Sequence, residues 1–479
     1  MVKKSIAVAR GDGIGAEIMD AVISIFNAVN IPLDYKFIDM GRDIFLQGHK
    51  MGMTSEAKAT VEELGVLFKG PMETPKGGGN KSINVTARKM WGTFANCRTF
   101  KVLPGVETIH SKANIPINLT IIRENLEDTY GGVEHLINPN LGISRRFIST
   151  AGCYQIHKYS FEYAKQQGIK SVVCGNKANI MKITDGMFLD IFYEVAKDYP
   201  DIKASDVIVD DLCMKLVTNP DKFEVIVLPN LQGDIVSDLC AGLVGGLGFA
   251  PSANIGNNIA IFEAVHGTAP DIAGKNIANP TALLLSGLMM LNFLGFNKQA
   301  KKIELALFET LQDKVHTADL KISSSPVSTT DYAKAIVERV KKIDDNSPLL
   351  KDINENPIKL GNKSSDMFRR TTPSECVGID LFIEANEAPK DLGDKLTSLV
   401  NSFNPNFTLE LIANRGTAVY PIASKYTECI DSYLIRILSN KPITEIEGLE
   451  LSSFVAKTYK LLSLEFLRTY EGKNGFTTL

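Results

Sequence analysis

Residues 5–29 read SIAVARGDGIGAEIMDAVISIFNAV, and the reading of this stretch decides the fold. SIAVA is a short apolar run of the kind a buried strand makes. GDGIG interrupts it, because closely spaced glycines punctuate regular structure. Ile18, Val22, Ile25, Phe26 and Val29 then recur at the spacing of one helix face. Strand, glycine loop and helix thus follow one another. The unit returns in looser form: SVVCGN at 171–176 precedes a helix expected over about 184–197, and VIVLP at 225–229 precedes one expected over about 234–244. Alternating strands and helices imply an α/β fold.

The chain has 479 residues, enough for roughly three domains. Apolar residues make up 44% and charged residues 22%, ordinary globular usage. A net charge of -3 leaves no overall basic field to hold nucleic acid or an anionic membrane, so neither is expected as a partner. The seven cysteines form no Cys-x-x-Cys pair, which points to reduced thiols and a cytoplasmic setting. No membrane span or leader peptide is expected. Residues 65–92, rich in Gly and Pro, read as a functional loop. The stretch from 341 turns polar and gains two prolines, which sets a linker near 345–370. Beyond it VGIDLFIEA reads as a strand, 389–402 as a helix, FTLELIANRG as a strand, and 425–439 and 443–471 as helical patterns, together a small C-terminal α/β domain.

Several segments carry chemistry. Ser82, Asn84, Arg88 and Arg98 in KSINVTARKMWGTFANCR combine neutral hydrogen-bonding groups with two forked cations suited to carboxylates. Arg123 and Tyr130 follow in TIIRENLEDTYGG. If the arginines converge, the ligand is a small polycarboxylate; singly, each reads more readily as a solvated surface group. Asp234 and Asp238 in NLQGDIVSD share one helix face, and with Asp210 they are candidate ligands for Mg²⁺ or Mn²⁺, with a bland role at a helix N-terminus as the alternative. Lys177, directly after an apolar strand, is a weak candidate for proton transfer. GDGIG lacks the residues that complete a dinucleotide fingerprint and is not read as a Rossmann motif. His266 alone reads as a structural histidine.

Taken together and in order, GDGIG, TPKGGGNKSINVTARK, ANCR, IIRENLEDTYGG, NKANIMKITDG, NLQGDIVSD, GLGFAPSANIG and HGTAPDIAGKNIANP resemble the β-decarboxylating dehydrogenase family, on its isocitrate branch. The resemblance covers about residues 5–340. Residues 375–479 are similar to the extra C-terminal domain of a longer bacterial subclass. It implies a two-domain α/β fold of the isopropylmalate/isocitrate dehydrogenase kind: a large domain from 1–93 and 245–345, a small domain over 94–244 with a clasp near 127–150, a linker at 346–370 and the C-terminal domain over 371–479. It implies that Ser82, Asn84, Arg88, Arg98 and Arg123, with Thr74 close by, bind isocitrate. Tyr130 and Lys177 become the proton-transfer pair, and Asp210, Asp234 and Asp238 the metal ligands. Lys177 and Asp210 would reach into a neighbouring subunit's site, so a homo-oligomer is implied. The implied reaction is oxidative decarboxylation to 2-oxoglutarate, a step of the tricarboxylic acid cycle. Homoisocitrate or 3-isopropylmalate dehydrogenase is the alternative, and a noncatalytic subunit of the same fold is a remote one.

The resemblance assigns the cofactor to His266, Gly267, Thr268, Ala269, Asp271, Ile272 and Asn279. Asp271 and Ile272 stand where NADP-using relatives carry Lys and Tyr. An aspartate accepts hydrogen bonds from both hydroxyls of an NAD ribose and repels a 2′-phosphate, so NAD is the expected cofactor.

Overall fold

β1 (Lys4–Ala9) is buried at its C-terminal end, and the helix Gly15–Ala28 that follows buries Ile18, Val22, Ile25 and Phe26 against the same core. The computed structural model of the chain describes residues 3–73, 82–320, 325–350, 372–422 and 426–478. These fall into two compact units, the first within 1–131, 147–180 and 185–364, the second within 132–146, 181–184 and 365–479.

The first unit is built on a ten-stranded sheet. Its strands are β1, β2 (Leu33–Phe37), β3 (Val66–Lys69), β4 (Ala95–Lys101), β5 (Asn118–Glu124), β8 (Ser171–Asn176), β9 (Lys203–Ile208), β10 (Val225–Leu228), β11 (Pro251–Ile255) and β12 (Ala260–Ala264). β6 (Asp128–Asn138) and β7 (Leu141–Phe147) form a separate hairpin. The order is β2-β1-β3-β12-β11-β4-β5-β10-β8-β9. Two parallel blocks flank an antiparallel centre, where β11 pairs with both β12 and β4, and β4 with β5. This is not a Rossmann arrangement, and GDGIG has another purpose. Gly13 has φ +58°, and a Cβ there would run into the Thr268 carbonyl, which accepts from the Ile14 N–H at 3.0 Å. The glycine loop thus packs on the backbone of the HGTAP segment.

The central register positions the site. Lys69 lies opposite Glu263, Glu263 opposite Ser252, Asn254 opposite Asn96, and Asn96 opposite Arg123. With side chains alternating along each strand, these residues and Arg98 share one face of the sheet. Phe68, Phe262, Ala253, Cys97 and Ile122 take the other face and join the main apolar core. The same strands therefore carry a polar stripe and a hydrophobic one back to back.

The second unit is a six-stranded antiparallel sheet of β13 (Ser374–Glu384), β14 (Phe407–Asn414), β15 (Thr417–Tyr420), β16 (Ser432–Ile443), β17 (Lys460–Tyr470) and β18 (Lys473–Asn474) in the order β15-β14-β16-β13-β17-β18. Helices Pro389–Phe403 and Glu445–Val455 cover one face over a core that includes Ile379, Leu396, Ile435 and Leu451. The hairpin anchors here: Asn138 Nδ2 donates to Ser432 Oγ at 2.6 Å, and Arg145 pairs with Glu465 at 3.2 Å.

Three sequence readings change. The 65–92 segment is not all loop, since it holds β3 and the helix Ile83–Met90; residues 74–81 lie outside the described residues. The expected helix over 425–439 is mostly β16, a central strand whose Tyr433, Ile435 and Ile437 are buried while Leu434 and Leu438 are half-buried, so no clean two-residue alternation appears. The pattern over 443–471 divides into a helix and β17. Residues 351–371, most of the expected linker, lie outside the described residues.

Candidate active site

Ser82 caps the helix Ile83–Met90, its Oγ accepting from the Val85 N–H at 3.5 Å. The cap aims the helix at the polar stripe of the sheet. Asn84 Oδ1 then accepts from Lys69 Nζ at 2.9 Å, and Arg88 Nη2 donates to Glu263 at 2.8 Å. Lys69 and Glu263 form an ion pair with side-chain exposures of 1% and 4%. Burial opposes the charge on Glu263, but Lys69 and Arg88 outweigh it and hold its carboxyl far below the usual range. Burial alone would push Lys69 toward neutrality, and its pairing with Glu263 opposes that. We take the pair as ionised, since each charge meets its partner directly.

Arg98 is 4% exposed. Its Nε donates to Asn96 at 2.7 Å and its Nη1 to Ser237 at 2.6 Å, while Asp234 and Asp238 stand at 3.5 and 3.8 Å. Burial, with Arg123 and Arg88 nearby, pushes it down to about 10, still charged at neutral pH. Arg123, 1% exposed, donates twice to Asn230, at 2.9 and 2.7 Å, and forms an ion pair with Asp234. Its stem explains Gly233: a Cβ there would lie 2.7 Å from Arg123 Cγ. The guanidinium also sits 4.8 Å from the centre of the Tyr130 ring.

Tyr130 donates its hydroxyl to Asp234, and Lys89 Nζ holds its carbonyl at 2.6 Å. Burial and the hydroxyl's bond to Asp234 raise the Tyr130 phenol above its ordinary value, keeping it protonated. Burial works against the Asp234 charge, but Arg123, Tyr130 and Arg98 overcome it and hold the carboxyl below its usual range. Among the described residues the stripe therefore carries four cations (Lys69, Arg88, Arg98, Arg123) against three carboxylates (Glu263, Asp234, Asp238), one positive charge in surplus. The Arg88 Nε–H is buried and has no partner among the described residues. A buried guanidinium with an unused donor is suited to an anion.

Not every expected residue joins this cluster. Lys177 pairs with Asp210, and the Lys177 N–H donates to Asp185 at 2.6 Å. The Lys177 hydrogen bond lowers the Asp210 carboxyl. Within one chain, among the described residues, no hydrogen bond or ion pair ties Lys177 or Asp210 to Arg98, Arg123, Tyr130, Asp234 or Asp238. Among the described residues, no three acidic, His or Cys groups stand together ready for a metal. Asp234 and Asp238 do fit a hard divalent ion in type, being partly exposed oxygen ligands one helix turn apart. Thr74 lies outside the described residues.

In the cofactor segment, His266 Nδ1 lies 2.9 Å from the Gly267 carbonyl, while its buried Nε2 has no partner among the described residues. Burial lowers the ring's affinity for a proton. Thr268 is buried, Gly267 and Ala269 are exposed, and Ala269 has φ +39°. Asn279 Nδ2 donates to Asp319 at 2.9 Å, and its Oδ1 accepts from the Thr281 N–H at the start of the helix Thr281–Phe293. Ile272 packs on the main core. The residues missed at the sequence level are Lys69, Glu263, Asn96 and Asn254. Each lies in an apolar strand, and only pairing across the sheet brings them to the site.

Residues 5–336 match the family model for isocitrate/isopropylmalate dehydrogenase, and residues 374–479 match that for the bacterial isocitrate dehydrogenase C-terminal domain. The chain belongs to the isocitrate/isopropylmalate dehydrogenase family. Within it, the chain has the make-up of the longer bacterial isocitrate dehydrogenases. It is 41% identical to the NADP isocitrate dehydrogenase of Thermus thermophilus, covering 99% of this chain and 95% of that one. The Rickettsia conorii NADP enzyme is 37% identical, with 98% of each covered. A solved structure from Thermus thermophilus superposes with a TM-score of 0.91 at 40% identity, over 99% of this chain and 95% of that one.

These relatives overturn the expectation of NAD. Both full-length relatives are named for NADP. The argument from Asp271 assumed a poorly solvated carboxylate worth about 4 kcal/mol of repulsion at 4 Å. Asp271 is instead exposed at a short 3₁₀ turn, where water reduces that to about 1 kcal/mol.

Proposed function

We propose that the chain catalyses oxidative decarboxylation of isocitrate to 2-oxoglutarate and CO₂, with Mg²⁺ or Mn²⁺ and with NADP as electron acceptor. The observation that carries this reading is the buried arginine cluster, with one positive charge in surplus and an unused donor, beside two partly exposed carboxylates. With a divalent ion the surplus becomes three, the charge of a tricarboxylate. Arg88, Arg98 and Arg123 bind carboxylates, and Ser82 and Asn84 the remaining polar group, with Thr74 as a further contact. Tyr130, kept protonated, supplies the proton to carbon after decarboxylation. Lys177 of a second copy, beside that copy's Asp210, helps remove the hydroxyl proton. Asp234 and Asp238, with Asp210 of a second copy, would hold the divalent ion, which would supply Lewis-acid polarisation of the substrate oxygen. The unpartnered His266 nitrogen and the exposed Gly267 and Ala269 favour HGTAP as the cofactor loop, and exposed Lys275 is a cation for a 2′-phosphate.

A homo-oligomer accounts for the separation of Lys177 and Asp210 from the cluster. The helices Val209–Thr218 and Asn230–Leu243, which pack together, expose Met214, Val217, Leu231 and Ile235 at 56%, 47%, 39% and 60%. A second copy covering this face would bury them. We assign 1–93 with 245–345 to a large domain and 94–244 to a small one, with 371–479 separate. No helix among the described residues is long and apolar enough to cross a membrane, and all seven cysteines are free.

The test is initial rates with purified protein. Isocitrate with Mn²⁺ should reduce NADP, and a chelator should abolish the reaction. Faster turnover of 3-isopropylmalate or homoisocitrate would overturn the substrate assignment.

A further inference from the structure

Arg88 and Arg98 come from different elements, a helix and β4, yet one buried chain of side chains joins them. Glu263, an ionised carboxylate, only accepts hydrogen bonds. Its Oε1 takes Arg88 Nη2 at 2.8 Å and Asn254 Nδ2 at 2.7 Å. That fixes the orientation of the Asn254 amide, whose Oδ1 accepts from Asn96 Nδ2 at 2.9 Å and Asn125 Nδ2 at 3.1 Å. Asn96 is oriented in turn: its Nδ2 also donates to Ser252 Oγ at 2.7 Å, and its Oδ1 receives Arg98 Nε at 2.7 Å. The polarity runs one way, from carboxylate through two amides to guanidinium, an arrangement in which each bond strengthens the next. Asn96 and Asn254 have no solvent exposure and lie directly opposite each other on β4 and β11.

We propose that the Asn96–Asn254 amide pair is a positioning device, setting the spacing of Arg88 and Arg98 and so the separation of carboxylates that the site accepts. The inference rests on the substrate role given to those arginines above. An apolar pair in the same sheet interior would fill the space with no polar groups to satisfy, but would leave both guanidiniums without a fixed distance.

The experiment measures KM for isocitrate and kcat in the full-length protein at saturating Mn²⁺ and NADP, together with thermal unfolding, for Asn254→Leu, Asn96→Leu and their double variant. Arginines that bind ground and transition state alike act through KM. Asn254→Leu should raise KM about ten- to a hundredfold, the range for a lost hydrogen bond to a charged group, with kcat within about threefold. The double variant should be no worse than the worse single one, because both break the same chain. An unchanged KM with a fall in kcat or melting temperature would overturn the proposal by leaving only a structural role, and so would multiplicative effects in the double variant. If Asn254→Leu does not fold, Asn254→Ser, which keeps a hydroxyl but is too short to bridge Glu263 and Asn96, should still raise KM several-fold; an unchanged KM there overturns the proposal. Wild-type protein that does not oxidise isocitrate at all would sink the functional assignment first, a result distinct from normal wild-type kinetics with indifferent asparagine variants.

Discussion

Arg436 in the second unit and Arg123 in the first are both buried guanidiniums beside a sheet face, and they are treated in opposite ways. Arg436 meets Asp380 in a two-pronged pair at 2.8 and 2.7 Å and donates to the Thr477 carbonyl at 2.5 Å, under the Phe476 ring. Its charge is cancelled by one carboxylate that is itself 14% exposed. Arg123 shares Asp234 with Arg98 and with the Tyr130 hydroxyl, and neighbouring Arg88 keeps a donor unused among the described residues. Burial of an arginine does not by itself mark a site. What marks one is a group of cations that the chain's own carboxylates leave incompletely answered.

The largest effect should come from Arg123→Leu. We expect kcat/KM for isocitrate to fall about a thousandfold, roughly 4 kcal/mol of lost interaction, measured by initial rates. Arg436→Leu should do the reverse. It should leave KM for isocitrate unchanged but cost about 2 to 4 kcal/mol of stability in denaturant unfolding, because the half-buried Asp380 loses its two-pronged partner. If Arg436→Leu weakened substrate as Arg123→Leu does, the contrast would fail.

Glu124 sharpens the comparison from the acid side. It is 4% exposed, accepts backbone N–H groups at Leu126 and Glu127, and burial raises its carboxyl to about 7. A carboxyl raised in the folded state contributes stability that is present below its unfolded value near 4.5 and is lost as pH rises through about 7. Glu124→Gln should therefore stabilise the protein at pH 8 by up to about 3 kcal/mol and give little gain at pH 4. Equal effects at both pH values in thermal unfolding would contradict that account.

The smallest effect concerns the hairpin. Asn138→Ala removes the 2.6 Å bond to Ser432 within the second unit and should cost about 1 to 2 kcal/mol in denaturant unfolding. A loss as large as that from Arg436→Leu would mean the hairpin, not the Arg436 pair, dominates that unit.

Much of this was legible in the sequence, and the reasons for the gaps are physical. β1 and its helix announce themselves because an apolar run, glycines and a helical stripe are all local signals. Arg88, Arg98, Arg123, Tyr130, Asp234 and Asp238 were readable as chemistry and do converge. Lys69, Glu263, Asn96 and Asn254 were not, since their partners lie on neighbouring strands far along the chain and the register alone unites them. β16 reads as a helix because Leu434 and Leu438, on the face opposite the buried Tyr433, Ile435 and Ile437, are apolar and half-buried, so its hydrophobic pattern does not alternate. Asp271 misled because a single charge carries weight only when water is kept from it, and the sequence does not report exposure.

On the proposed function, the unanswered arginines of the first unit bind a tricarboxylate. Isothermal titration of isocitrate in the presence of Mg²⁺, into wild-type, Arg88→Leu and Arg436→Leu proteins, tests it most directly. The account expects binding to wild type and to Arg436→Leu with similar affinity, and at least a roughly tenfold loss in Arg88→Leu. Equal affinity in Arg88→Leu, or equal loss in both variants, would contradict it.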